Sequence, residues 1–337
     1  MKKISVSAKS GYSLIIVGDR IDNCAAYLPD THLVIITDTY VRNLYGHCFP
    51  KGDLIEIGQG ESIKTLSTIK QIYDKMIHYE TDRSSFVLGI GGGIVCDITG
   101  FAASTYMRGI DFGFVASTLL AQVDASIGGK NGVNVQGYKN MAGVFQQPQF
   151  AICDPIMLQT LSDSDYLCGL AEIVKHAIIA DEPLFRFIEN NVEAIHSRDP
   201  VVLERLIYDS VMIKSEIVRQ DETEKGNRKK LNFGHTFGHA IEKITQLPHG
   251  QAVSIGMVMA SQFACNRGML DANDLKQIIA LLEQLRLPVS IDVCKNKIVD
   301  AMKKDKKRKS DVIFTVLPLA IGHVNVIECP ISELSSV

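Results

Sequence analysis

The stretch Phe86-Val87-Leu88-Gly89-Ile90-Gly91-Gly92-Gly93, running on into Ile94-Val95-Cys96-Asp97-Ile98-Thr99-Gly100-Phe101, constrains the fold of this chain more than any other. A short β-branched run reads as a strand, the glycines end it, and the segment behind them has helical character. A strand that passes through glycines into a helix lets backbone N–H groups approach a phosphate, and the helix dipole favours its negative charge. The spacing is not G-x-G-x-x-G, so a plain tight turn is the competing reading; the strand–turn–helix context favours a pyrophosphate cradled by Gly91 to Gly93. Asp97, one turn into the helix, is either a dipole-matched surface acid or a cofactor contact.

The same alternation runs through the first half: Tyr12 to Gly18, Leu33 to Asp38 and Leu54 to Ile57 are apolar runs separated by helical patterns. They predict an α/β domain over residues 1–155 with a Rossmann-like, mostly parallel sheet. Asp38 then lies at a strand's carboxyl end, where an acid either takes ribose hydroxyls or caps the next helix. Glu61 and Lys64 are expected in the first turn of a helix reaching about His78, in solvent. Between 115 and 155 the chain turns polar and glycine-rich, and Asp124, Lys130, Lys139 and Asn140 mark it as a binding loop. From about Asp154-Pro155 the apolar period becomes 3.6, which predicts an all-α second domain over 156–337. The run Val312 to Leu317 is expected to return as a strand to the first domain's sheet.

In that second half, His235 and His239 stand four apart and share a helix face, a spacing that suggests a metal. His249 follows within a short loop's reach, which fits three protein ligands and an open position; a carboxylate is the alternative third ligand. A zinc protease needs Glu after the first histidine, and Thr236 stands there, so peptide hydrolysis is disfavoured. Glu172, Lys175 and His176 share an otherwise apolar face, leaving two readings: an internal Glu–Lys pair, or Glu172 as an oxygen ligand. Arg228 and Asn232 lie in or next to a charged stretch that is either part of the site or a solvated loop. The cluster around Lys307 is either solvated or a phosphate clamp.

The formal net charge of −3 gives no electrostatic case for nucleic acid. Eight dispersed cysteines, with no C-x-x-C pair, read as reduced packing residues. No run approaches a membrane span and the first residues lack a signal peptide's apolar core, so the expectation is a cytoplasmic protein with a small-molecule partner.

Taken together, Gly91-Gly92-Gly93-Ile94-Val95-Cys96-Asp97, Thr105-Tyr106-Met107-Arg108-Gly109, Leu119-Leu120-Ala121-Gln122-Val123-Asp124 through Lys130, Lys139-Asn140-Met141, Ala171-Glu172-Ile173-Val174-Lys175 and Asn232-Phe233-Gly234-His235-Thr236-Phe237-Gly238-His239 resemble the 3-dehydroquinate synthase family, within the sugar-phosphate cyclases, over nearly the whole chain. The resemblance implies a divalent metal, Zn2+ or Co2+, on Glu172, His235 and His249, with His239 left to the substrate. It implies NAD on Asp38, Glu61, Lys64, Gly92, Gly93, Asp97, Ser117, Thr118, Lys130, Lys139 and Thr160. Asp124, Lys130, Asn140, Lys175, Lys214, Arg228, Asn232, His239 and Lys307 would serve the substrate, and Arg108 would reach a partner subunit's substrate in a homodimer. The implied reaction takes 3-deoxy-D-arabino-heptulosonate 7-phosphate to 3-dehydroquinate and phosphate, in aromatic amino-acid biosynthesis by the shikimate pathway. It runs through oxidation, phosphate elimination, re-reduction, ring opening and aldol closure. Another sugar-phosphate cyclase or a metal-dependent polyol dehydrogenase is the alternative. Gln251, Asn131 and Ser162 to Asp165 depart from the family pattern.

Overall fold

The computed structural model describes residues 1–293, 295–303 and 312–336. They form two compact units, Met1–Leu161 with Lys214–Glu222, and Ser162–Ile213 with Thr223–Val337.

The first unit is built on β1 (Lys2–Ala8), β2 (Gly11–Val17), β3 (Leu33–Asp38), β4 (Asp53–Ile57), β5 (Phe86–Gly91), β6 (Asp111–Ala116) and β9 (Phe150–Cys153), joined in a seven-stranded sheet of order β1-β2-β9-β6-β5-β3-β4. All neighbours run parallel except β1, which pairs antiparallel with β2 at the edge. The central strands β5 and β9 are buried at every position, as a parallel sheet covered on both faces requires. Val34, Ile36, Val87 and Phe114 pack on one side, and Ile35, Leu88, Ile90 and Val115 on the other. The α-helices lying wholly within this unit are α1 (Thr39–Tyr45), α2 (Leu66–His78) and α3 (Gly93–Thr105).

The polar stretch expected as one binding loop is instead a π-helical turn, Ala121–Ala125, followed by an antiparallel hairpin of β7 (Lys130–Val135) and β8 (Tyr138–Phe145). Its two-residue turn has φ of 50° at Gln136 and 79° at Gly137, the paired positive values that match a hairpin's twist. Helix α2 also begins later than expected. Thr65 caps it, and Glu61–Ile63 is a separate 3-10 turn.

The second unit contains α4 (Asp163–Ala180), α5 (Glu182–Glu189), α6 (Val192–His196), the greater part of α7 (Pro200–Gln220), α8 (His235–Thr245), α9 (His249–Asn266), α10 (Ala272–Gln284) and α11 (Lys295–Lys303). It is not all-α. The strand expected to rejoin the large sheet is β10 (Val312–Ala320), which pairs with β11 (His323–Pro330) in a sheet of their own. A local partner wins because Gly322, at φ 87°, turns the chain straight back. The last residues of α7 and the turn after it, Lys214–Glu222, belong to the first unit. The ammonium of Lys214 meets Asp124 there, and Glu222 accepts from the Ser10 N–H at 3.2 Å and from Gln147 at 3.1 Å. No helix among the described residues is long and apolar enough to cross a membrane.

Candidate functional site

In the first unit, the chain leaves β3 towards β4 on one side and returns to β5 on the other, so the strand order reverses between β3 and β5. Ligands of open α/β sheets bind outside the carboxyl ends of strands at such a reversal. Asp38 ends β3, Gly92 and Gly93 follow β5, Ser117 and Thr118 follow β6, Glu61 and Lys64 follow β4, and Thr160 closes the turn after β9. All of these residues, read from separate stretches of sequence, therefore lie beyond the carboxyl ends of one sheet.

Gly92 caps α3 with no side-chain hydrogen bond, so that helix's first N–H groups meet no side-chain acceptor at the cap. A Cβ on Gly92 would come within 3.0 Å of Thr118 Cγ2, and one on Gly93 within 3.0 Å of Ala125 Cβ. The glycines thus hold the β5–α3 turn tight against the segment after β6, and the Ser117 N–H donates to the Gly91 carbonyl at 2.9 Å to close the same corner. This arrangement fits a pyrophosphate on a helix N-terminus.

Asp38 caps α1, accepting from the Val41 N–H at 2.9 Å, and burial raises its carboxyl pKa. Lys64 is buried, contrary to the solvated position expected of it, because Asp97 pairs with its ammonium and Asn140 Oδ1 accepts from it at 2.6 Å. Burial pushes the Asp97 carboxyl up to about 6, against the lowering charge of Lys64. Asn134, unremarked in the sequence, joins these parts: its N–H donates to the Lys64 carbonyl at 2.8 Å and its amide donates to Glu61 at 2.7 Å. Lys130, Lys139 and Asn140 stand exposed on the β7–β8 hairpin. Thr160 bonds the Tyr45 hydroxyl at 2.7 Å. Arg108 is exposed, and both it and Met107 adopt left-handed backbone, at φ 72° and 49°. Two such non-glycine residues in succession store strain of a kind found at functional positions.

The second unit holds the metal-type cluster. On α4, Glu172 is 1% exposed; its Oε2 pairs with Lys175, while Oε1 is buried with no hydrogen-bond partner. The internal Glu–Lys pair is therefore present on one oxygen, and the other oxygen stays available to a ligand role. The unpartnered Oε1 faces His235 Nε2 at 3.5 Å and His249 Nε2 at 3.8 Å. Ligands about 2.0–2.1 Å from a tetrahedral zinc stand about 3.3 Å apart, and these three atoms, all within 4.8 Å of one another, are close enough to hold such an ion. The far nitrogens fix the tautomers. The Phe233 carbonyl, 3.1 Å from His235 Nδ1, and the Glu242 carboxylate, 3.2 Å from His249 Nδ1, can only accept, so both Nδ1 atoms carry hydrogen and Nε2 is the atom each ring turns to the centre. Burial first, then the charges of Lys175, His239 and His249, hold the His235 imidazole well below its usual pKa, in the form a metal requires.

Close backbone contacts assemble this centre. Gly234 has φ 77°, and a Cβ on Gly256 would lie 2.0 Å from the Gly234 carbonyl oxygen, so α8 and α9 approach through glycines. A Cβ on Gly250 would lie 2.3 Å from Cys168 Cα, which seats the start of α9, and with it His249, on α4. His239 is exposed and outside the ligand group, its ring edge-on to His235 at 5.3 Å. Of the i, i+4 pair that first suggested a metal, only His235 falls in the group that could hold one. Arg228 is buried and so does not belong to a solvated charge run, and Asn232 donates to Glu224. Asn232 and Glu224 line a 370 Å³ cavity with Lys229, Phe314 and Val316. Lys307 lies outside the described residues.

Residues 54–168 match the family described as 3-dehydroquinate synthase N-terminal, and residues 169–308 the one described as 3-dehydroquinate synthase C-terminal. The 3-dehydroquinate synthase of Geobacter metallireducens is 42% identical over 287 residues, covering 84% of this chain and 79% of that protein. A 2-epi-5-epi-valiolone synthase structure from Streptomyces hygroscopicus subsp. jinggangensis, with NAD+ and Zn2+ bound, superposes with TM-score 0.87 at 28% identity, covering 100% of this chain and 96% of that one. A 2-deoxy-scyllo-inosose synthase complexed with carbaglucose-6-phosphate, NAD+ and Co2+ superposes with TM-score 0.89 at 23% identity, covering 100% and 99%, and supports the fold.

Proposed function

The chain belongs to the 3-dehydroquinate synthase family, and from that premise we propose that it converts 3-deoxy-D-arabino-heptulosonate 7-phosphate to 3-dehydroquinate and phosphate. It acts as an NAD- and metal-dependent carbon–oxygen lyase of the cytoplasm. The observation that carries this reading is the buried, unpartnered Glu172 oxygen facing two imidazole Nε2 atoms in a chain of this family. When bound, the metal supplies a Lewis acid for a substrate hydroxyl, and NAD supplies a hydride acceptor that is restored within the turnover.

Glu172, His235 and His249 hold the metal, with zinc the first choice and cobalt the second. Gly92 and Gly93 take the NAD pyrophosphate on the α3 terminus, and Asp38 takes ribose hydroxyls with the carboxylate that also caps α1. Glu61, Lys64, Asp97, Ser117, Thr118, Lys130, Lys139 and Thr160 complete the cofactor surroundings. Arg228, a buried guanidinium, suits a substrate carboxylate, which it can grip by a planar fork. Lys175 keeps its ammonium beside the metal ligands because Glu172 Oε2 holds it there. Asp124 and Lys214 act on the substrate as a pair, with Lys130, Asn140, Asn232 and His239 as further contacts, and the leaving phosphate serves as its own base. Positioning by such groups is worth about 7–11 kcal/mol in well-aligned intramolecular cases. Arg108 reaches the phosphate of a second copy's substrate in a homodimer.

The test compares two substrates under saturating NAD and zinc. Phosphate is released from the carboxylated heptulosonate phosphate and not from a heptulose phosphate lacking the carboxylate. Equal release from both would contradict the role of Arg228 and favour a sister cyclase.

A further inference from the structure

The two histidines of the metal-type centre are oriented by chemically different groups. His235 is held by a backbone carbonyl and is largely buried, its side chain 13% exposed; His249 is more open, at 32%, and is held by the carboxylate of Glu242 at 3.2 Å. Glu242 stands on α8 seven residues beyond His235, two helical turns along the same face, and so reaches across to the first residue of α9. Its side chain is only 17% exposed, which strengthens a charge-assisted hydrogen bond relative to one in open solvent.

We infer that Glu242 is the positioning residue for His249. It keeps the proton on Nδ1, turns the ring so that Nε2 faces Glu172 Oε1, and raises the donor strength of the less buried of the two histidine ligands. Its effect is on metal affinity before any effect on turnover, since a partner behind a ligating histidine typically contributes 10–100-fold in affinity. The inference rests on the metal reading above and adds to it a residue that touches neither metal nor substrate.

Glu242→Ala and Glu242→Gln are made in the full chain, stripped of metal, and titrated with zinc against a chromophoric chelator. In parallel, the visible absorption of the cobalt-loaded proteins reports the ligand field. Glu242→Ala is expected to bind zinc 10–100-fold more weakly and to shift the cobalt bands. Glu242→Gln, which keeps the shape and a hydrogen-bond acceptor but loses the charge, falls between Ala and the parent, and it carries the test if the alanine variant fails to fold. Zinc affinity within twofold of the parent for a folded variant, with an unshifted cobalt spectrum, overturns the inference even if thermal stability drops. A parent chain that holds no zinc overturns the metal reading and this inference together.

Discussion

His249→Ala yields a folded protein that no longer retains zinc through dialysis and has lost phosphate-releasing activity. The residue offers one of the three converging atoms proposed to hold the metal, and removing it leaves His235 Nε2 and the Glu172 oxygen, 3.5 Å apart, as the remaining pair. Loss of a direct ligand must exceed the 10–100-fold typical of an outer partner. The fold survives because His249 is the first residue of α9, half-buried, and its substitution opens no core cavity. Elemental analysis of the dialysed variant makes the comparison; zinc equal to that of the parent would remove His249 from the ligand set.

Gly250→Ala gives the second large effect, and two magnitudes of opposite sign decide it. Helix propensity favours alanine over glycine by about 1 kcal/mol, so propensity alone predicts a more stable α9. The added methyl would sit 2.3 Å from Cys168 Cα and 2.7 Å from its carbonyl oxygen. Those are backbone atoms of a buried helix, and no rotamer change relieves the clash. Overpacking costs about 1–3 kcal/mol, and relief by moving α9 carries His249 away from Glu172. The variant is therefore expected to melt below the parent and to bind zinc at least tenfold more weakly, a change of about 1.4 kcal/mol. A higher melting temperature with full zinc affinity would show that α9 does not rest on α4 at this point.

These two residues also illustrate what the sequence makes legible. The β-branched runs ending in Asp38 and Gly91 announce parallel strands because both faces of the sheet are covered, so burial itself writes the pattern. The change of period after Asp154 announces helices in the same way. Pattern is silent where burial is absent. On β8 most side chains are exposed, so no apolar alternation marks the strand and it reads as a loop. Choice of partner is equally hidden: an apolar run such as Val312 to Leu317 states that it wants a sheet, and only Gly322 and the run after it decide which. At the site, residue type points to Glu172, His235 and His249, and the family resemblance separates His239 from them. The work of Glu242, Asn134 and Gly250 depends on contacts between distant stretches, for which spacing along the chain carries no signal. Lys64 likewise reads as solvated until Asp97 and Asn140 are seen to enclose it.

The proposed reaction would restore NAD within each turnover, which would separate its chemistry from that of a dehydrogenase. The most direct measurement loads the zinc form with one equivalent of NAD, adds a large excess of 3-deoxy-D-arabino-heptulosonate 7-phosphate, and follows phosphate, dehydroquinate absorbance and the NADH band together. The expected result is many equivalents of phosphate and dehydroquinate per NAD, with no accumulation of NADH. One equivalent of NADH appearing as turnover stops would contradict it.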